Sequence, residues 1–194
     1  MPGFRLIVGL GNPGPEYADT RHNAGAWLVE QWVDQLRLSW STESRMHGRI
    51  ARTGDVRFLL PDTYMNRSGL SVLSVANYFK ILPADILVAH DELDLAVGLV
   101  RLKIGGGHGG HNGLRDIIQV LGHPGFGRLR IGIGRPPSAS NKNVVDFVLH
   151  APGQAERTLI DQSIGNALNH RQLLLDGNTA SFMNLVHSLT AQGN

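Results

Sequence analysis

An α/β sandwich built on a mixed sheet is what the order of elements in this 194-residue chain predicts. Short apolar runs, Leu6-Ile7-Val8-Gly9-Leu10 and Ile86-Leu87-Val88-Ala89-His90, read as buried strands. Helical periodicity separates them, with Leu28, Trp32 and Leu36 on one face of a first helix over about 24–37 and Val29 and Val33 beside it. A hairpin, residues 48–53 and 56–60 about the tight turn Gly54-Asp55, adds antiparallel strands. Strands alternating with helices give layers of helix on sheet, and the hairpin makes the sheet mixed rather than purely parallel.

The remaining elements follow in order. Gly11-Asn12-Pro13-Gly14 ends the first strand with turn formers, and a polar stretch carrying Thr20-Arg21-His22-Asn23 delays the helix until residue 24. Pro61 closes the hairpin, and a polar loop carrying Tyr64 and Met65 leads to a helix over 69–81. In that helix Leu70, Leu73, Ala76 and Phe79 are expected to face inward, with Ser68 as its cap. The strand ending at His90 runs into the acidic turn Asp91-Glu92-Leu93-Asp94. A strand over 99–104 enters a glycine-rich loop, Gly105 to Gly113, which a helix (114–121) and a strand (128–133) follow. Residues 135–142 read as a loop whose mobility is expected to extend near 135–152, with 144–149 a short apolar stretch inside it, and 153–176 and 178–190 read as helical segments.

With 42% apolar and 18% charged residues the chain is of ordinary globular composition, and 1–194 reads as one domain with room for a proper core. It has no cysteine, which excludes disulfides, thiolate nucleophiles and cysteine metal sites. The first residues lead straight into a strand without a signal-peptide pattern, and no apolar run approaches the ~20 residues of a membrane span. A cytoplasmic protein is therefore expected. The formal charge of +2 and pI near 9.3 permit a nucleic-acid partner without requiring one.

Gly9-x-Gly11-x-x-Gly14 after a strand fits a dinucleotide fingerprint. Against that reading, the helix begins about ten residues too late to place its N-terminus under a pyrophosphate, and no acidic residue ends a second strand at the usual ~20-residue spacing. The glycine run at 105–113 lacks the lysine and hydroxyl of a P-loop, yet it holds more glycine than a turn needs and reads as a binding loop, with Asn112 at the start of the next helix. His108 and His111 are conceivable metal ligands with Asp91, but a His-x-x-His pair in a loop more simply packs or hydrogen-bonds there. No Gly-x-Ser-x-Gly elbow offers a serine nucleophile.

His22 remains as a general base. It lies in a polar loop near one strand end, and Asp91 lies at another, where ligands of open α/β sheets bind. An aspartate on one ring nitrogen fixes the tautomer and raises the pKa of the base. Asn12, Asn66 and Asn112 are amides suited to carbonyls and a water rather than to bare charge. Spacing alone does not show that these five residues converge. Arg101 and Lys103 share one strand face, as do Arg128 and Arg130 on the next strand, a pattern that fits phosphate contacts.

Six blocks taken together resemble the bacterial-type peptidyl-tRNA hydrolase family. They are Val8 to Gly14, Thr20 to Gly25, Tyr64 to Gly69, His90 to Asp94, Gly105 to Gly113 and Arg128 to Gly134, in order along almost the whole chain. The resemblance implies a monomeric three-layer α/β/α sandwich around a mixed, mostly parallel twisted sheet. It implies an enzyme without metal or cofactor that splits the ester between a peptide and the 3′ ribose of tRNA, with the peptidyl-tRNA acceptor end as partner and no stable protein partner. Carried over, His22 activates water, Asp91 supports it, and Asn12 contacts the peptide and helps distinguish blocked from free aminoacyl groups. Asn66 and Asn112 hold the peptide backbone and the water; Tyr17, Tyr64 and Met65 line the cleft; Arg101 and Lys103 meet the terminal phosphate of the tRNA. Two positions depart from the common pattern: Tyr64 stands where phenylalanine is usual, and Arg101 where many relatives have lysine. The residues leave two other readings open, a nicotinamide-dependent oxidoreductase on the first glycine motif and a non-catalytic RNA-binding module.

Overall fold

The computed structural model describes residues 2–137 and 141–189. In chain order the regular elements begin with β1 (Leu6–Gly9), α1 (Ala24–Gln35), β2 (Ser41–Glu43), β3 (Gly48–Thr53), β4 (Val56–Pro61), α2 (Ser68–Phe79) and β5 (Ile86–Glu92). They continue with β6 (Val100–Ile104), α3 (Asn112–Leu121), β7 (Gly127–Gly132), α4 (Asn141–Val148), α5 (Gln154–Leu168), α6 (Arg171–Leu175) and α7 (Thr179–His187). The seven strands form one sheet in the order β2-β3-β4-β1-β5-β7-β6. Its four central strands, β4-β1-β5-β7, run parallel, while β2, β3 and β6 add antiparallel edges.

Alternation along the central strands divides the core in two. Ile7, Leu87 and Ala89 pack on one side with Leu28 and Trp32 of α1, Ile160 and Ile164 of α5, and Phe182 of α7. Leu6, Val8, Ile86 and Val88 pack on the other with Val72 and Val75 of α2 and Leu114 and Ile117 of α3. Strands apolar on both faces suit the middle of a three-layer sandwich. Helix layers on both faces of a mixed sheet agree with the expected fold.

Several expectations need correction. Exposed β2 lacks apolar alternation, so nothing in its sequence marks it as a strand. Helix α2 buries Ser68, Gly69, Ser71, Val72, Val75 and Ala76, whereas Leu70, Leu73 and Phe79 are only partly covered. At Gly69 α3 is too close for any side chain: an added Cβ would sit 2.6 Å from Val120 Cγ2. Ser68 does not cap the helix; its hydroxyl donates to the Met65 carbonyl at 2.8 Å. Strand β5 extends through Asp91 and Glu92, which were expected in the turn beyond it. Of the expected mobile loop near 135–152, positions 138–140 lie outside the described residues, and Asn141–Val148 is helix α4. The 153–176 segment divides into α5 and α6 about residues 169–170.

One close approach positions the site. Gly25, in the first turn of α1, lies so near β5 that an added Cβ would be 2.1 Å from the Ala89 carbonyl oxygen. The 3₁₀ turn Arg21–Asn23 just before it is thereby carried to the end of β5, where Asp91 sits. Arg21 ties this turn to the 147–150 segment: it donates to the Phe147 and His150 carbonyls, lies over the Phe147 ring, and pairs with Glu156 at 3.0 Å.

Candidate active site

His22 and Asp91 meet as expected. The Nδ1 atom of His22 is 3.0 Å from each carboxylate oxygen of Asp91, and the two side chains are 12% and 2% exposed. A carboxylate accepts only, so Nδ1 carries the proton and the lone pair of the neutral ring is on Nε2. Burial alone would lower the pKa of His22, but the charge of Asp91 and the hydrogen bond to it together raise it above its ordinary 6.5. Burial pushes Asp91 the other way, yet the imidazoles of His22 and His111 and their hydrogen bonds hold it well below the usual carboxylate range.

His111 is the partner that the sequence did not reveal. Its Nε2 lies 2.8 Å from Asp91 Oδ1. Its Nδ1 accepts the backbone N–H groups of Gly113 and Leu114, at 3.2 and 3.4 Å, and so caps α3. The proton must then be on Nε2, which donates to Asp91. Asp91 therefore holds two imidazoles at once, one per oxygen or shared. Behind them His90 donates from Nδ1 to the Asp91 carbonyl at 2.7 Å, its ring edge-on to His111 with centroids 5.1 Å apart. Burial, and then the neighbouring His111, push the His90 pKa down to about 3, so at neutral pH it is an uncharged wall.

Donor atoms of His22, Asp91 and His111 all lie within 4.8 Å of one another, close enough to consider a metal ion. The chemistry of the donors argues against it, because His111 Nε2 and His22 Nδ1 both present protons to the carboxylate rather than lone pairs. His108 stays apart, its Nδ1 accepting from Gly110 N–H at 3.0 Å within the glycine loop.

Asn12 is held on three sides. Its backbone N–H donates to Asn23 Oδ1 and its carbonyl accepts from Asn23 Nδ2, at 2.9 and 3.0 Å, while its own Oδ1 accepts the Met65 N–H at 2.7 Å. With Oδ1 engaged, the amide NH₂ of Asn12 is the end left for a ligand. Asn112 is exposed at the first residue of α3, its Oδ1 accepting from Arg115 at 3.2 Å. Asn66 is exposed in the 3₁₀ turn Met65–Arg67. Tyr17 and Tyr64 meet edge to face at 6.2 Å, Tyr64 being 58% exposed, and Met65, next to Tyr64 in sequence, is buried. Among the described residues no hydrogen bond joins Asn66 or Asn112 to His22; hydrogen bonds join His22, Asp91 and His111 in one group, and Asn12 with Asn23 and Met65 in another.

The basic residues separate. Arg101 and Lys103 do share a face of β6, but the Arg101 guanidinium reaches over the sheet edge and donates to the Val186 and Leu189 carbonyls at the end of α7, at 3.3 and 3.2 Å. Exposed Lys103 makes no hydrogen bond or ion pair among the described residues. Arg128 is buried and donates to the carbonyls of Gly106 and Gly107, and so clamps the glycine loop from within. Arg130 pairs with Glu92 at 2.9 Å.

The first glycines serve packing rather than a dinucleotide. A Cβ on Gly9 would lie 2.7 Å from the Gly25 carbonyl oxygen, and one on Gly11 would lie 2.9 Å from the Asn23 side chain. Helix α1 starts ten residues after Gly14, beyond reach of a pyrophosphate held there.

Comparison with known proteins bears on the family. A family profile described as Peptidyl-tRNA hydrolase matches residues 6–193. The chain is 50% identical over 196 residues to the peptidyl-tRNA hydrolase of Pectobacterium atrosepticum, covering 98% of this chain and all of that one. It is 51% identical to that of Sodalis glossinidius, over 95% of this chain and 97% of the other. The crystal structure of peptidyl-tRNA hydrolase from Acinetobacter baumannii superposes with a TM-score of 0.95 at 48% identity, covering 99% of this chain and 98% of that chain. These matches span the chain from end to end and leave no observation in favour of an oxidoreductase or a purely RNA-binding module. The chain belongs to the peptidyl-tRNA hydrolase family, in its bacterial form.

Proposed function

We propose that His22, through Nε2, is the general base with which this enzyme hydrolyses the ester bond between peptide and tRNA. The observation that carries the assignment is the Nδ1 contact to both oxygens of a buried Asp91, which leaves Nε2 as the only basic nitrogen of the ring. A water placed at Nε2 loses its proton as its oxygen attacks the ester carbonyl. The imidazolium formed is stabilised by Asp91 and returns the proton to the 3′ oxygen of the ribose as the tetrahedral intermediate collapses. Peptide acid and free tRNA result. His111 keeps the carboxylate oriented and takes no part in the proton transfer.

In this reading the Asn12 NH₂ donates to a carbonyl of the peptide, and Asn66 and Asn112 hold its backbone and the attacking water. Tyr17, Tyr64 and Met65 form the wall of the cleft. A free α-ammonium would bring donors against the Asn12 donor, with nothing to compensate it, which selects for blocked substrates. No helix among the described residues is long and apolar enough to cross a membrane. The reading places the enzyme in the cytoplasm, acting as a monomer on the acceptor end of tRNA. Hydrolysis of N-acetylated and free aminoacyl-tRNA, with no cofactor added, tests it. Release from the blocked ester alone is expected; equal release from both, or from neither, contradicts it.

Lys103 is assigned to a tRNA phosphate. Arg101 sits beside it, and to join that contact its guanidinium would exchange α7 carbonyl oxygens for phosphate oxygens. Lys103→Ala should weaken tRNA binding and reduce the slope of log affinity against log salt by about 0.7–0.9, one phosphate contact being lost. Binding isotherms over a salt series check this, and an unchanged slope removes Lys103 from the interface.

A further inference from the structure

Asn12 also borders a second space. A cavity of about 320 Å³ opens between the 11–15 turn, the start of α1 and the end of β4, and none of His22, Asp91 and His111 lines it. Its apolar surface comes from Pro13, Pro15, Trp27 and Leu60. Its charged lining is Glu30, Arg49 and Asp62. Arg49 stands between the two carboxylates, 3.6 Å from Glu30 and 3.9 Å from Asp62, both too long for a full hydrogen bond. Within the lining one cation thus serves two acids loosely, and one negative charge is in excess there; the nearby Arg157, stacked on the Trp27 ring at 3.7 Å, is itself paired with Asp19 and Asp161.

We propose that this cavity is a subsite for the side chain of the peptide residue preceding the esterified one, and that it favours a basic side chain. The inference rests on the reading that Asn12 holds the peptide, because Asn12 is the residue common to that contact and to the cavity wall. Successive Cα atoms are about 3.8 Å apart, so the residue next to the one at Asn12 is the first that can turn into the opening. A lysine there lays its aliphatic stem along Trp27, Leu60 and the prolines and brings its ammonium to Glu30 and Asp62. Glutamate meets the excess negative charge instead. Because Arg49 remains and the carboxylates are partly exposed, the preference is modest, about three- to fivefold.

Three N-acetylated dipeptidyl-tRNAs test the subsite, identical except for lysine, Nε-acetyllysine or glutamate at the residue before the ester. The acetylated form keeps the length and apolar body of lysine and removes its charge. The expected order of kcat/KM is lysine, then Nε-acetyllysine, then glutamate, with the lysine advantage shrinking in high salt. Glu30→Gln with Asp62→Asn should bring the lysine to acetyllysine ratio to about one, and Arg49→Ala should raise it. Equal turnover of all three by the unmodified enzyme overturns the subsite alone. So does a lysine advantage that survives the double substitution. Failure to cleave any of the three overturns the esterase reading together with it.

Discussion

His22→Ala should lower kcat by about 10²–10⁴-fold while leaving affinity for tRNA nearly unchanged. The effect is large because the ring is the only base with a free lone pair in the group formed with Asp91 and His111; the His111 proton faces the carboxylate and its other nitrogen caps α3. Affinity is spared because His22 meets the ester and the water rather than the phosphates. Single-turnover rates and equilibrium binding, measured on the same preparation, separate the two quantities. Equal losses in both would make His22 a binding residue and remove it from the chemistry.

Asp91→Asn is expected to be nearly as damaging, for a reason of proton counting. The carboxylate accepts from two N–H donors, His22 Nδ1 and His111 Nε2. An amide offers one oxygen and one NH₂, so one imidazole must face a donor with a donor, and the buried mismatch is relieved only by a flipped ring or the other tautomer. A loss of about 10²-fold or more in kcat follows. The pH dependence gives the sign. The base acts when neutral, so activity falls as pH drops through the His22 pKa, which Asp91 holds above 6.5. Without that negative charge burial prevails, and the acid limb of kcat/KM moves to lower pH while the plateau falls. An acid limb that stays in place would show that another group controls it.

Much of this site could be read in the chain because its parts end strands. Asn12 follows β1 and Asp91 is the penultimate residue of β5, and parallel neighbours place such ends side by side. His22 was legible as a polar residue ahead of a late helix. His111 was not, because His108 looks equivalent in sequence. The fold of the glycine loop, with positive φ at Gly105, Gly106, Gly109 and Gly110, turns one histidine to Asp91 and leaves the other in the loop.

The basic residues show a similar limit. Alternation placed Arg101 and Lys103 on one face correctly, but what Arg101 meets is set by α7, 85 residues downstream. Arg128 obeys the same alternation and is buried under the carbonyls of the loop that precedes α3. Helix α4 was hidden for a different reason: Val144, Val145, Phe147 and Val148 are nearly continuous, so their periodicity does not separate strand from helix. In α2 the close approach of α3 selects glycine at position 69, and Ser68 and Ser71 turn in to donate to the Met65 and Met46 carbonyls, against the expectation that the largest apolar residues point in.

Nitrogen-15 NMR of the His22 ring across pH tests the central claim most directly. The account requires the neutral ring to carry its proton on Nδ1, with Nε2 bare, and the titration midpoint to lie above the ordinary 6.5. A neutral ring protonated on Nε2, or a midpoint below that value, would contradict it.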